Sequence, residues 1–383
     1  MNILYISRNL FPYGAAYASR VTHFAKMLHD MGHKVHIITD YTIDAEEDER
    51  VELGFCSYQA LYRGGSIRNT LNIEKKRLAT VRQYLEREKT DYIITNSFPN
   101  DYVKMKRLMD EKGVPYIIEV CEWFDPTAYK LGRWDIRYFR NQKALKNRYL
   151  KEKKIIAISR YLQDYFTSHQ VPCIRVPAIL DLEEHKYSAA PGNDKVRIMY
   201  AGNPGKTKEL LGEIFQAIAS LKREDERFGD KFCFDLYGVN EKQVLLNLEK
   251  DRGLLEYVRD CIQIQGKVSQ ENINEVYRQH DFSIFMRPHR RSSDAGFPTK
   301  LAESLAAGTP VIANATGDID CYIQSGSNGF VAENDREILR KLLRELVSMK
   351  EKTYQDMRQK ARETAENNFD YKIYKREMDE FLQ

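Results

Sequence analysis

Paired cysteines, long apolar runs and the glycine-rich nucleotide loops are all missing from this 383-residue chain, and each absence excludes something. Six cysteines (Cys56, Cys121, Cys173, Cys233, Cys261, Cys321) are scattered without one C-x-x-C pair, which argues against a zinc site, a redox motif or a disulfide framework. Cys121 and Cys233 fall within apolar strand-like runs, so the plain reading is reduced thiols in a cytosolic protein. No apolar run approaches the length that crosses a bilayer. The opening MNILYISRNLF has no basic stretch before its apolar residues and no cleavage site after them. It reads as a first buried strand, not a signal peptide. G-x-G-x-x-G is absent, so a nicotinamide fingerprint is not supported. G-x-x-x-x-G-K-[ST] is absent too, since only Gly202 and Gly205 precede Lys206-Thr207. There is no internal repeat, and the one biased segment is the acidic run Asp44–Glu52, expected to be flexible.

What is present is enough chain for two ordinary domains, with 42% hydrophobic and 30% charged residues. The net charge of +4 hides an asymmetry. Residues 1–180 carry 29 Lys and Arg against 21 Asp and Glu, whereas the remainder carries 31 against 35. A basic first half suits contact with something anionic.

Short apolar runs alternate with helical stretches throughout. Asn2–Ser7 reads as a central parallel strand. A small-residue loop at Pro12, Gly14, Ala15 and Ala16 follows, then a helix closed by Gly32 and a strand over His33–Thr39. Strands are expected again at Asp91–Ser97, Pro115–Cys121, Val196–Gly202, Lys231–Gly238 and Cys261–Gly266, with helices between. That alternation predicts an α/β protein with doubly wound parallel sheets. The turn-rich run SAAPGND, 188–194, divides a domain over 1–187 from one over 188–368. A last helix in 369–383 carries Tyr374, Met378 and Phe381.

The chain is organised around DFSIFMRPHRRSSDAGFPTKLAESLAAGTPVIAN, from Asp281 to Asn314. It reads as strand, polar loop, helix and strand, with Pro298 at the helix start, where it has no N–H to leave unpaired. Gly308 stops the helix and Pro310 follows. Such a helix start, after the carboxyl end of a parallel strand, is an anion site. The first-turn N–H groups of Thr299, Lys300 and Leu301 point outward and the helix dipole adds positive potential. Glu303, four residues after Thr299, lies on the same face. A carboxylate inside an anion site suits paired sugar hydroxyls beside a phosphate, the makeup of a nucleotide-sugar; the plainer reading is a solvated helix-starting carboxylate.

GFPTKLAESLAAGTPVIAN resembles the nucleotide-sugar signature of the retaining glycosyltransferases of family 4 (group 1), in the branch reading G-x-P-T-K-x-x-E-x-x-A-x-G-x-P-V-I. The resemblance implies the GT-B fold, two Rossmann-like doubly wound parallel-sheet domains facing a cleft. It implies that Glu303 holds the nucleotide ribose and that the amides of Thr299 and Lys300 meet the diphosphate. The βαβ opening is similar as well, and there the resemblance implies that Gly14 and Ala15 approach the donor diphosphate. AGNPGKTKELLGEIFQAI is similar to the family motif of Gly, Arg and a later Lys, represented here by Gly202, Asn203 and Lys208 (or Lys206). Arg287 is a further candidate cation. There are two departures: Asn203 stands where Arg is common, and Ala295, beside Asp294, stands where many members carry a second Glu. In GT-B proteins a terminal helix crosses back onto the first domain, which is expected of 369–383.

On the acceptor side the candidates are Arg20, Glu119 and Glu122. Arg20 either faces the cleft or is a surface charge. Glu122 lies in the VCEWFDP segment after a strand, where loops build sites, and Glu119 stands just ahead of that segment; either could act as acid, base or acceptor-hydroxyl ligand. Glu122-Trp123 matches the acidic-Trp pair of the P-T-K branch, and a solvated loop carboxylate is the other reading for Glu122. Lys130–Lys154 carries ten Lys and Arg interleaved with Trp134, Tyr138, Phe139, Leu145 and Tyr149. Read as a helix, it suits an anionic membrane surface or a solvated helix with its aromatics in the core. Nucleic acid is not expected, because no recognised motif accompanies the charge.

The implied reaction moves a sugar from a nucleotide-diphosphate donor, uridine-based by family frequency, to a hydroxyl of a lipid-linked or polysaccharide acceptor with retention. Lys208, Arg287 and the helix amides would stabilise the leaving diphosphate, without metal or cofactor, and Glu122 is the acid or base candidate. A cytosolic enzyme, peripheral on the inner face of the cytoplasmic membrane, is the expected setting. The alternatives are a nucleotide-sugar epimerase of the same fold and a degenerate binding protein without turnover.

Overall fold

The computed structural model describes residues 1–14, 16–64, 67–96, 99–187, 194–205 and 208–383. They form two compact units. One comprises Met1–Leu180, Asp294–Phe297 and Tyr371–Gln383, the other Asp181–Ser293 and Pro298–Asp370. The chain first passes between units at Leu180–Asp181, ahead of the run expected as the linker, whose residues 188–193 lie outside the described ones.

The first unit is built on a sheet of β1 (Asn2–Ile6), β2 (Lys34–Thr42), β3 (Arg50–Leu53), β4 (Cys56–Arg63), β5 (Tyr92–Asn96), β6 (Tyr116–Val120), β7 (Ile155–Ala157) and β8 (Cys173–Arg175). Their order is β3-β4-β2-β1-β5-β6-β7-β8, and every pairing is parallel except β3 with β4. Central strands read as continuous apolar runs because both faces are covered: Leu4, Tyr5, Ile37, Ile38, Ile93, Ile94, Ile117 and Ile118 are all buried. The helix Ala16–Asp30 buries Val21, Phe24, Ala25 and Leu28 in the same core. The terminal helix Lys375–Leu382 joins that core through Met378 and Leu382, and Tyr371 just before it donates to Asp30 at 2.9 Å.

The second unit repeats the plan with β9 (Val196–Ala201), β10 (Phe232–Tyr237), β11 (Ile262–Gly266), β12 (Phe282–Phe285), β13 (Val311–Ala313) and β14 (Gly329–Val331), ordered β11-β10-β9-β12-β13-β14 and all parallel. Buried Asp235 on β10 fastens this sheet. It accepts from Arg197 on β9 (2.8 Å), Gln265 on β11 (2.9 Å) and His280 ahead of β12 (3.1 Å). Burial pushes its carboxyl up, but the bonds from His280, Gln265 and Arg197 outweigh that and hold it below the usual carboxylate range. Both sheets are doubly wound as expected, and each has a switch point where strand order reverses, at β1/β5 and at β9/β12. Among the described residues no helix is long and apolar enough to cross a membrane.

The acidic run ends in an edge strand, β3, and Lys76 reaches Asp48 at 2.9 Å and Glu47 at 3.3 Å. One local expectation is corrected. Lys130–Lys154 is not one helix. A 3-10 turn at Gly132–Trp134 leads into the helix Ile136–Lys143, then a π turn over Ala144–Arg148 and another 3-10 turn to Lys151. Asp135 starts the helix by accepting from the Arg137 N–H at 2.9 Å. The break sorts the aromatics: Leu145 and Tyr149 go into the core, while Trp134 is 85% and Phe139 54% exposed.

Candidate active site

In the second unit the β9/β12 switch point gathers the signature residues. After β9 the chain turns at Gly202, with φ +138°, where a Cβ would meet the Lys300 Nζ at 3.4 Å and the Tyr200 hydroxyl at 3.5 Å. Gly238, at φ +78°, lets the end of β10 approach the same turn, since a Cβ there would lie 2.8 Å from the Gly202 carbonyl. Asn203 is exposed and spends its side chain on its own loop, accepting from the Gly205 N–H at 3.0 Å. Lys208 is exposed, with its backbone N–H on the Pro204 carbonyl at 3.2 Å; Lys206 lies outside the described residues.

The signature helix runs Thr299–Ala306 behind Pro298, burying Leu301, Ala302 and Leu305. Its first turn is tight, and the Leu301 N–H donates to the Pro298 carbonyl at 2.9 Å. That corrects the expectation of three outward amides, because the Leu301 amide is taken up within the turn. The Lys300 side chain folds back to Glu209, with Nζ 2.9 Å from Oε1, and lies over the rings of Tyr200 (4.3 Å) and Phe285 (5.3 Å). Burial lowers its pKa, while Glu209 opposes the fall. Half-buried Glu303 accepts from Gln270 at 3.2 Å, and burial raises its carboxyl above the usual range.

Arg287 follows β12 and is buried, donating to the Ser293 carbonyl at 3.2 Å. Its backbone is clamped by Asn314 from the end of β13, which accepts from the Arg287 N–H (2.8 Å) and donates to the Arg287 carbonyl (2.7 Å). Ala295 is buried and offers a carbonyl, which accepts from Ser159 at 2.8 Å. Glu209, Gln270 and Asn314 were not legible as site residues. Glu209 reads in sequence as one more charge beside Lys208, and the other two are marked by no motif.

In the first unit Gly14 sits in a close loop, where a Cβ would lie 3.1 Å from the Leu10 carbonyl; Ala15 lies outside the described residues. Arg20 and Glu119, expected to face an acceptor, are instead locked together in the interior. The Arg20 Nε donates to Glu119 Oε1 at 2.7 Å, and its NH2 donates to the Val176 carbonyl at 2.9 Å. Glu119 Oε2 accepts from the Tyr5 hydroxyl (2.5 Å) and the Asn96 amide (2.9 Å), at 0% exposure. Burial favours the neutral guanidine, but Glu119 outweighs it and holds Arg20 charged. Charge matching within the fold occupies both side chains, which corrects the acceptor assignment for this pair. Glu122 is exposed on the loop after β6, beside buried Trp123, whose indole donates to Gln142 at 3.1 Å. No group of three His, Cys, Asp or Glu side chains suited to a metal occurs among the described residues.

Residues 183–364 match the family model described as glycosyl transferases group 1, and residues 18–183 match that of glycosyltransferase family 4. Over 180 residues the chain is 28% identical to the amylovoran biosynthesis glycosyltransferase AmsK of Erwinia amylovora. That stretch is 46% of this chain and 42% of AmsK, so the chain spans less than half of this curated relative. Among solved structures, the sucrose-phosphate synthase of Thermosynechococcus elongatus is similar over 99% of this chain and 97% of its own, at a TM-score of 0.77 and 16% identity. The Anabaena protein HepE, in complex with UDP and glucose, is similar over 99% and 98%, at 0.67 and 13%. At such identities the likeness shows the fold, and that fold is GT-B.

Proposed function

Because the chain belongs to the group 1 glycosyltransferases of family 4, we propose that it moves a sugar from a uridine-diphosphate donor to a hydroxyl of a lipid-linked or polysaccharide acceptor, with retention at the anomeric carbon. One observation carries the donor half. At the β9/β12 switch point, the helix Thr299–Ala306 after β12 carries in its first two turns the amides of Thr299 and Lys300, the Lys300 ammonium held by Glu209, and Glu303. In this reading the diphosphate sits on the helix N-terminus and Glu303 accepts from the ribose hydroxyls. Lys208 and Arg287 add positive charge as the diphosphate leaves, and Glu122 is the candidate for the acceptor hydroxyl. The name of AmsK supports a surface polysaccharide as product, and the UDP and glucose bound to HepE support the donor class.

A thermal-shift screen with UDP, GDP, ADP, CMP and their sugars tests the donor half. A ligand at ~100 times its dissociation constant adds about 2.7 kcal/mol to the folded state, so UDP compounds should raise the melting temperature and the others should not. Silence with every nucleotide overturns the reading. Asn203 and Ala295 favour one competitor, a donor-binding protein without turnover, which would show the shift but no transfer or hydrolysis. An epimerase would convert donor without acceptor. The reaction is proposed to need no metal, since the chain's own cations and amides face the leaving group, and transfer should therefore survive a chelator; loss of transfer overturns that part.

The acceptor reading brings the chain to an anionic membrane surface. Leu131 (66%), Trp134 (85%), Ile136 (62%) and Phe139 (54%) are exposed within nine residues and are flanked by the exposed Lys130, Arg133, Arg137, Arg140 and Lys143. Apolar side chains at the acyl boundary with basic ones at the headgroups are how a protein lies on such a surface. The protein should sediment with phosphatidylglycerol vesicles at low salt and release at high salt, and Trp134→Ala with Phe139→Ala should abolish sedimentation. Absence of binding at low salt removes the membrane from the proposal.

A further inference from the structure

The ion pair between Glu209 and Lys300 has a shape that packing alone does not explain. Glu209 is 4% exposed and uses Oε1 for Lys300, while its Oε2, equally buried, has no hydrogen-bond partner among the described residues. Its neighbour the Tyr200 hydroxyl is in the same condition. Buried polar atoms are normally satisfied, so two such atoms beside one ammonium mark a place where stability has been given up. Lys300 meanwhile lies against two aromatic faces and under Gly202, with little water to hydrate it. An ammonium so placed keeps its proton only with a counter-charge. Lys208 and Arg287 act on it in the wrong direction, and Glu303, on its own helix, is engaged by Gln270.

We propose that Glu209 is a positioning residue of the donor site, whose carboxylate keeps the Lys300 ammonium charged and fixed beneath Gly202 for the incoming diphosphate. The inference rests on the donor-site reading above and adds to it a residue that the motif does not contain. It also explains why the carboxylate is buried at the loop–helix junction: it bonds one face of the ammonium, leaving the remaining N–H groups for phosphate oxygens. The carboxylate offsets the cost of burying the charge before any ligand arrives. Without Glu209, burial and the two neighbouring cations would leave Lys300 neutral at a pH where the native protein holds it charged.

The experiment compares the full chain with its Glu209→Gln and Lys300→Met variants and with the double variant at a series of pH values from about 6.5 to about 9.5, below the ordinary lysine value of about 10.4. Titration calorimetry with UDP is the first readout. The loss of affinity in Glu209→Gln should be about tenfold larger at the alkaline end than at the acid end, the equivalent of one pH unit of lost protonation. In the Lys300→Met background the same substitution should change nothing. A loss that is equal at every pH, or that persists without Lys300, overturns the proposal. The second readout needs no ligand. The gap in melting temperature between native protein and Glu209→Gln should narrow as pH rises and close in the Lys300→Met background. Failure of UDP to bind the native protein would condemn the donor reading, while the melting gap still decides the pair: a gap constant with pH and unaffected by Lys300→Met overturns it.

Discussion

Glu119→Ala is expected to destabilise the first unit by about 3–5 kcal/mol, the usual cost of leaving a buried charge without its partner. Arg20 would keep the carbonyls of Val176 and Pro177 but lose the carboxylate that neutralises it. The Tyr5 hydroxyl and the Asn96 amide would lose their acceptor in the same step. Urea unfolding followed by tryptophan fluorescence isolates this unit, because Trp123 and Trp134 both belong to it and a two-unit chain need not unfold in one transition. Replacing both members, Arg20→Leu with Glu119→Leu, should cost much less than Glu119→Ala, since no charge is then stranded. A loss below about 1 kcal/mol, the scale of an exposed ion pair, would mean that water reaches the pair, and the acceptor assignment would reopen.

Glu303→Ala should weaken UDP binding roughly 5- to 150-fold, or ~1–3 kcal/mol, the range for hydrogen bonds to a charged group. The melting temperature should barely move, because the side chain is only partly buried and its bond to Gln270 is an ordinary 3.2 Å contact. The carboxyl adds a pH signature. Burial raises its pKa, so the carboxylate is lost on acidification at a higher pH than for an ordinary glutamate. UDP affinity should therefore fall in mildly acid solution, and Glu303→Gln should abolish that fall along with most of the affinity. Calorimetry across this range checks both, and an affinity unchanged in Glu303→Ala would end the ribose assignment.

The elements were legible because their signals are local. Pro298 before Thr299 and Gly308 after the helix punctuate the signature, and the apolar runs of β1, β5 and β6 alternate with amphipathic helices over distances that a short window covers. The same locality misled the reading of Lys130–Lys154. Its basic and aromatic spacing suggested one helix, yet Asp135 starts a new one and the backbone passes into a π turn after Lys143, sending Tyr149 inward and Trp134 outward. The first-turn amide of Leu301 is not legible for a related reason, since sequence places a helix start to within a residue or two but does not say how tightly its first turn is wound.

By itself, then, the sequence determined the two βα-alternating halves, the helix start behind Pro298 and the face that Glu303 shares with Thr299. Each depends on residues within a few turns of one another. Tertiary structure alone decided which charges serve the fold and which are left for a ligand. Arg20 and Glu119 are 99 residues apart and Glu209 and Lys300 are 91 apart, and nothing in either neighbourhood announces the other. A charged side chain reads the same in sequence whether it faces water, a substrate or a buried partner. The free energy that distinguishes these cases is the cost of desolvation against the reward of pairing, and it is set only when the sheet brings distant strands together.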